Sequence, residues 1–278
     1  AVWAVLLTLL WLTVAVLAPY ALRALLARPA TGDTSFWLGV DLAAVMPISW
    51  VPLVADYSRM ARSRGAAFWG TSLGYFVSHV WFYSLGALLG VSAAVALDPS
   101  APISPLLAAI AGLTAGWMAL IVLLVGETDE SFANIYSSAV SLLNMLPTAR
   151  LRPLLLAAGG IVLLLATTVP LVQYESFILL IGSVFVPLLG VVTADYFLLR
   201  KRQYDIESLY QEGGPYWYRG GINWVAVVIW LLGVGLFLLI AGLPQLGLAG
   251  LAPWLGATLP TYLFGLVAYA LAGRAAIK

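Results

Sequence analysis

Residues 116–141 read GWMALIVLLVGETDESFANIYSSAVS, and their reading decides the fold. The run is long enough to cross a membrane as a helix, yet it carries Glu127, Asp129 and Glu130 near its middle. An ionised carboxylate at a bilayer centre costs about 2.5–3.5 kcal/mol even on lenient insertion scales. Three of them facing lipid would be hard to insert, so they are expected to face a cavity, a partner or an ion. On a helical wheel of about 100° per residue, Glu127, Glu130, Ser131, Asn134, Ser137, Ser138 and Ser141 fall within about 120°. Phe132, Tyr136 and Val140 fall opposite, and Asp129 sits off the stripe near Tyr136. A stripe of this width suits the wall of a water-filled path. The competing reading is helix–helix glue, because Ser and Asn often bond across membrane helices. Glue rarely needs three carboxyl groups within residues 127–130.

The chain of 278 residues is 63% hydrophobic and only 9% charged, against about 25% charged in soluble domains. Its apolar runs are long and uninterrupted, so the class is all-α integral membrane. A net charge of +1 gives no sign of a nucleic-acid partner. The absence of cysteine excludes disulfides, thiol catalysis and cysteine metal sites within these residues, and one histidine argues against a histidine-rich metal site. Ala1 already lies inside an apolar run with no charged segment before it. That is not a signal peptide, and the true start is expected upstream.

Apolar runs mark eight spans, at about 1–25, 37–60, 67–96, 114–143, 153–171, 174–199, 222–243 and 250–272. If Ala1 is cytoplasmic, then Arg59, Arg62, Arg64, Arg150, Arg152, Arg200, Lys201, Arg202, Arg219, Arg274 and Lys278 lie inside. Only Arg23 and Arg28 lie outside, a ratio of 11 to 2. The alternative splits 103–146 into two spans with Glu127–Glu130 in a wet loop. It would keep only Arg59, Arg62 and Arg64 inside and leave 10 basic residues outside. The single span is preferred. Residues 102–112 then form a short surface helix, since one helix over 103–146 would be about 65 Å long.

The second span contains Met46-Pro47-Ile48-Ser49-Trp50-Val51-Pro52. Its two prolines remove two backbone donors. Mid-membrane breaks of this kind are tolerated where freed backbone lines a site, and many carriers hold solute and ion there. A simple proline kink with a packed Trp fits the pattern equally well. Ala-Asp-Tyr occurs at 55–57 and again at 194–196, each time where a span meets the expected cytoplasmic side. The reading is anchoring, with Tyr in the aromatic belt and Asp capping or pairing with nearby basic residues. His79 reads as packing, with a proton relay as its functional alternative. Asp41 and Glu175 are expected to be wet, near the outer interface. Phosphate loops, zinc motifs and nucleophile–base signatures are absent.

The blocks VPLVADYSRMARS and FVPLLGVVTADYFLLRKRQYDIESLY, the latter followed by GGPYWYRGGINWVAVVIW, resemble the nucleobase:cation symporter-1 family. The resemblance covers essentially the whole chain. ETDESFANIYSSAVSLLN and the compact loops look closest to the hydroxymethylpyrimidine carriers of thiamine salvage, the CytX-like members, with cytosine carriers next. The resemblance implies a leucine-transporter-like inverted-repeat fold, of which the eight spans would be the fifth to twelfth. It implies that Trp50 stacks on a planar heterocycle and that Asn134 hydrogen-bonds it. Ser49 and Glu130 complete the expected substrate set. Aligned on Ala133-Asn134, Val125, Thr128 and Asp129 fall at a cation site usually made by a carbonyl and two hydroxyls. Asp129 departs from that pattern, which leaves sodium and proton both open as the coupling ion.

The expected function is secondary-active, cation-coupled import of a pyrimidine-type solute by residues 1–278 as one transmembrane domain. No covalent chemistry and no cofactor beyond the coupling ion are expected. The expected setting is a prokaryotic inner membrane, with a monomer in the bilayer. One rival is an amino-acid carrier of the same fold. Another is a membrane-embedded enzyme with Glu127, Asp129 and Glu130 on a metal, which would need a second acidic cluster that the sequence lacks.

Overall fold

The helices of the computed structural model are, in chain order, α1 (Val2–Leu17), α2 (Leu22–Leu26), α3 (Phe36–Ser49), α4 (Val54–Ser58), α5 (Arg64–Ser92), α6 (Ser104–Ala111), α7 (Gly116–Met145), α8 (Leu151–Thr168), α9 (Tyr174–Thr193), α10 (Trp224–Ala241) and α11 (Thr258–Ala272). A two-residue antiparallel pair, β1 (Gly242–Leu243) with β2 (Leu248–Ala249), lies between α10 and α11. The structure describes residues 2–18, 22–27, 35–92, 103–146, 148–170, 173–243, 248–251 and 254–275. Arg28 and Lys278, used for the orientation, lie outside them, as do the side chains of Asp56 and Tyr57.

The chain divides into two units, one of residues 1–31 and 53–172, the other of 32–52 and 173–278. In the first, α7 runs unbroken across the three acids, and α6 is the short separate helix that the sequence requires. Gly116 makes that separation. A Cβ there would come within 1.8 Å of the Ile110 carbonyl oxygen, so only glycine lets α7 start so close under α6. The core of this unit joins Leu9, Leu12 and Val16 of α1 to Leu85 and Leu89 of α5, Ile110 of α6 and Ala119 of α7.

In the second unit, α9 is the central element, packed by α3, α10 and α11. Helices in lipid gain little from apolar contact alone, and small residues let their backbones meet. A Cβ on Gly190 would lie 2.4 Å from the Tyr262 carbonyl oxygen of α11. One on Gly265 would lie 2.5 Å from the carbonyl oxygen of Pro187. Gly233 of α10 admits the Pro187 ring in the same way, at 2.4 Å, and Gly182 admits Val45 of α3 at 2.6 Å. Val45, Val186 and Phe237 are fully buried in this seam.

Among the described residues, five helical segments are long and apolar enough to cross a membrane: Phe36–Leu53, Arg64–Val91, Leu151–Thr168, Tyr174–Leu199 and Trp224–Ala241. Trp3–Leu17 and Thr258–Ala272 are shorter apolar helices. The last span therefore starts at Thr258, not near 250. The chain before it is held by the β1–β2 pair and by Leu251, whose N–H donates to the Leu239 carbonyl at 2.8 Å. The second span is not one helix. Pro47 and Pro52 each lack a ladder donor. α3 ends at Ser49, a 3₁₀ turn covers Val51–Leu53, and α4 follows.

Candidate functional site

In the first unit, α1, α5 and α7 line a cavity of about 350 Å³, within the usual range for small-molecule sites. Its polar wall is Glu127, Asp129 and Glu130 of α7 with Ser78 of α5; Trp81, Phe82 and Leu9 are among the apolar residues. The three acids thus face a shared space, while each stays exposed. Asp129 belongs to that wall, although the wheel placed it off the stripe, because a cavity spanning two neighbouring helices collects a wider arc of α7 than one face. Asn134, Ser131, Ser138 and Ser141 do not line it, and Ser137 is buried in packing at 6% exposure. Trp81 is held in place: its indole N–H donates to Thr13 Oγ1 at 3.0 Å, and that hydroxyl donates to the Leu9 carbonyl at 2.7 Å.

Val125, Thr128 and Asp129 stand at i, i+3 and i+4 on α7, so they share one side of the helix. The Thr128 hydroxyl donates to the Leu124 carbonyl at 2.8 Å. Its oxygen keeps lone pairs for a cation. The Val125 carbonyl lies inside an unbroken helix, so a cation there would share it with the ladder. His79 lies between the rings of Tyr75 and Tyr83 on α5, with centroids 5.6 and 4.3 Å away. That is an aromatic stack along one helix face.

In the second unit, Ser49 and Trp50 form the broken end of α3. The Ser49 hydroxyl donates to the Met46 carbonyl at 2.6 Å, and the Trp50 N–H to the Pro47 carbonyl at 3.2 Å. These short-range bonds satisfy carbonyl groups at the broken helix end. Trp50 is half-buried.

A second constellation in this unit surrounds Asp195. After α9 the chain widens into a π-helical turn, Ala194–Leu199. Asp195 then accepts from Arg200 Nε at 3.2 Å, from the Tyr204 hydroxyl, and from the Tyr269 hydroxyl at 3.2 Å. Arg200 also donates to the Tyr218 hydroxyl at 2.7 Å and lies over the Tyr216 ring at 4.3 Å. Asn223 caps α10 by accepting from the Ala226 N–H, and its amide donates to the Tyr269 hydroxyl at 2.7 Å. Burial, then the Asp195 bond and charge, push the Tyr204 phenol well above its usual range. Burial works against the Arg200 charge. The Tyr218 bond and the charge of Asp195 outweigh it, and the guanidinium is held above its ordinary value. Asp205, bonded by the Ser208 hydroxyl, is held below the usual carboxylate range. The pairing expected for the second Ala-Asp-Tyr is therefore present, with a larger set of partners than sequence suggested. The N-cap signature of Asn223 before an apolar run was the available clue.

Asp41 corrects an expectation. It is not wet: it is 4% exposed and accepts from the Ala257 and Thr258 N–H groups at 2.7 and 2.9 Å. Glu175, in the first turn of α9, is exposed as expected.

Residues 2–267 match the family model described as permease for cytosine/purines, uracil, thiamine, allantoin. A Bacillus subtilis protein named as a purine-cytosine permease, YxlA, is 25% identical over 72% of this chain and 45% of its own length. The allantoin permease of the same organism is 34% identical over 49% of this chain and 28% of its own length. The fold is similar to that of Mhp1, a nucleobase-cation-symport-1 family transporter solved in a closed conformation with bromovinylhydantoin bound. The TM-score is 0.58 at 18% identity, over 98% of this chain and 59% of Mhp1. The chain thus spans less than two thirds of each relative. The mostly helical partial fold is leucine-transporter-like, and the family is one of permeases, not of enzymes. The chain belongs to the cytosine/purine, uracil, thiamine and allantoin permease family, the nucleobase:cation symporter-1 family.

Proposed function

We propose that residues 1–278 form part of one transporter domain that imports a planar pyrimidine-type solute with a cation across a prokaryotic inner membrane. The solute is hydroxymethylpyrimidine or a nucleobase such as cytosine. The observation that carries this reading is the cavity wall on α7, where three carboxylates that lipid would reject face a shared space. A carboxylate complements the donor edge of an aminopyrimidine, and Glu130 takes that role. Asn134 supplies an amide with both donor and acceptor. Trp50 supplies the aromatic face at the broken end of α3, with Ser49 beside it. The names of the relatives support the class of solute: purine, cytosine and allantoin are all nitrogen-containing ring compounds.

Sodium is assigned to Val125, Thr128 and Asp129. The specific observation favouring a proton instead is that Asp129 shares its cavity with Glu127 and Glu130. Three like charges on one wall repel one another, and a bound proton offsets that repulsion as a sodium ion would.

The test is uptake into proteoliposomes by the full-length protein under imposed sodium or proton gradients, with cytosine and hydroxymethylpyrimidine as solutes. Trp50→Ala and Asn134→Ala abolish saturable uptake at normal protein levels. Asp129→Asn weakens the sodium dependence, or uncouples the proton gradient if the ion is a proton. Normal affinity in Trp50→Ala or Asn134→Ala removes that residue from the site. Unchanged coupling in Asp129→Asn makes that residue structural.

A further inference from the structure

Helix α11 has no cap of its own. Its N-cap residue is Ala257, whose side chain cannot accept a hydrogen bond. The first N–H groups of a helix need an acceptor, and its N-terminus favours an anion. Asp41 of α3 meets both needs, with Oδ2 on the Ala257 N–H at 2.7 Å and Oδ1 on the Thr258 N–H at 2.9 Å. The approach is tight. Gly256 has φ +72°, and a Cβ there would lie 3.3 Å from Asp41 Oδ1 and 3.4 Å from Trp37. The next turn of α3 places the fully buried Val45 against Gly182 of α9, and the Tyr174 hydroxyl reaches Met46 Sδ at 3.8 Å. Beyond that turn, α3 breaks at Ser49 and Trp50.

We infer that Asp41 is a positioning residue for Trp50 and Ser49: it ties α3 to the first turn of α11, so that the broken end of α3 is carried by α9 and α11 as one body. The inference rests on the substrate role proposed for Trp50. Asp41 and Trp50 are nine residues apart, about 13 Å along a helix. Releasing one end of that lever by about 10° moves the other by about 2 Å, and a misplacement of about 1 Å can cost a hundredfold in rate or affinity. A bond that only stabilised α11 would leave the other end of α3 unaffected.

The experiment compares Asp41→Asn, Asp41→Ala, Thr258→Val and Trp50→Ala in the full-length protein. Saturable uptake is read per folded transporter, below the unfolding temperature of each variant. Each variant is also combined with Ser49→Cys, and the introduced thiol is titrated with a soluble maleimide; residues 1–278 contain no other cysteine. Asp41→Asn keeps one acceptor and the shape of the side chain, so it serves if Asp41→Ala does not fold. The expected result is a rise in KM, about tenfold for Asp41→Ala and less for Asp41→Asn, with kcat little changed and labelling of the introduced thiol altered severalfold. Thr258→Val removes a buried hydroxyl that has no partner among the described residues and leaves KM and labelling unchanged. The inference is overturned if both Asp41 variants lower only thermal stability or yield, with KM and labelling at position 49 as in the parent. Unchanged KM in Trp50→Ala overturns the substrate reading instead. In that case labelling at position 49 in the Asp41 variants still decides whether Asp41 sets the position of the end of α3.

Discussion

Replacing Asp195 with alanine tests the constellation that closes the second unit. Asp195 accepts from Arg200, Tyr204 and Tyr269, and the side chains of Arg200 and Asp195 are only 9% and 15% exposed. Truncation leaves a nearly buried cation without its carboxylate, which costs about 3–5 kcal/mol in comparable pairs. Arg200 retains the Tyr218 hydroxyl at 2.7 Å and the Tyr216 ring at 4.3 Å, so the lower end, about 3 kcal/mol, applies. At roughly 2–4 °C per kcal/mol for a body of this size, the Tm falls by about 6–12 °C. Tyr269→Phe removes one bond to the carboxylate and the one accepted from Asn223, and costs about 2 kcal/mol. Asp195→Ala with Arg200→Met removes both charges together and recovers most of the loss, because a buried pair replaced by apolar groups is often neutral. The measurement is the monodisperse fraction of detergent-purified protein after heating. If Asp195→Ala loses no more than Tyr269→Phe, or the double variant is the least stable, the ion pair does not organise this region as argued.

Gly190→Ala and Gly265→Ala each place a Cβ within 2.5 Å of a backbone oxygen; each lowers stability by about 2–3 kcal/mol through overpacking. Gly74→Ala, with nothing within 4 Å of its Cβ, is neutral or stabilises by up to about 1 kcal/mol through helix propensity. Equal effects in the same thermal assay would refute the close-packed seam. The raised Tyr204 pKa makes stability fall with rising pH. Above about pH 10 the unfolded tyrosine ionises while the folded one holds its proton, so the contribution is complete below that pH and lost as pH climbs towards the folded value. Tyr204→Phe flattens this alkaline slope, and an unchanged slope in that variant refutes the assignment. For orientation, Ser63→Cys and Thr148→Cys stay unlabelled by an impermeant maleimide added outside intact cells; strong labelling of both would reverse the topology.

Much of the architecture was legible from local pattern. The acids at 127–130 required a cavity, a partner or an ion because lipid offers a carboxylate no partner, and the unbroken α7 lines a cavity with them. Pro47 and Pro52 made a disturbed ladder legible, since a missing N–H is a property of the residue itself, but a simple kink fitted the pattern equally well and only the structure ends α3 at Ser49. The second Ala-Asp-Tyr announced a paired Asp195, because a basic residue follows within a turn or two. Each of these rests on residues a few positions apart, whose relation a helix fixes in advance. Asp41 does not. Its partners lie 216 and 217 residues away, and nothing in its neighbourhood separates a buried tertiary cap from a wet interfacial carboxylate. Likewise Gly74 and Gly190 are both helical glycines, yet one faces open space and the other the backbone of α11. Composition sets which residues can approach a neighbouring helix. Which of them do so depends on where distant segments pack, and only the tertiary structure decides that.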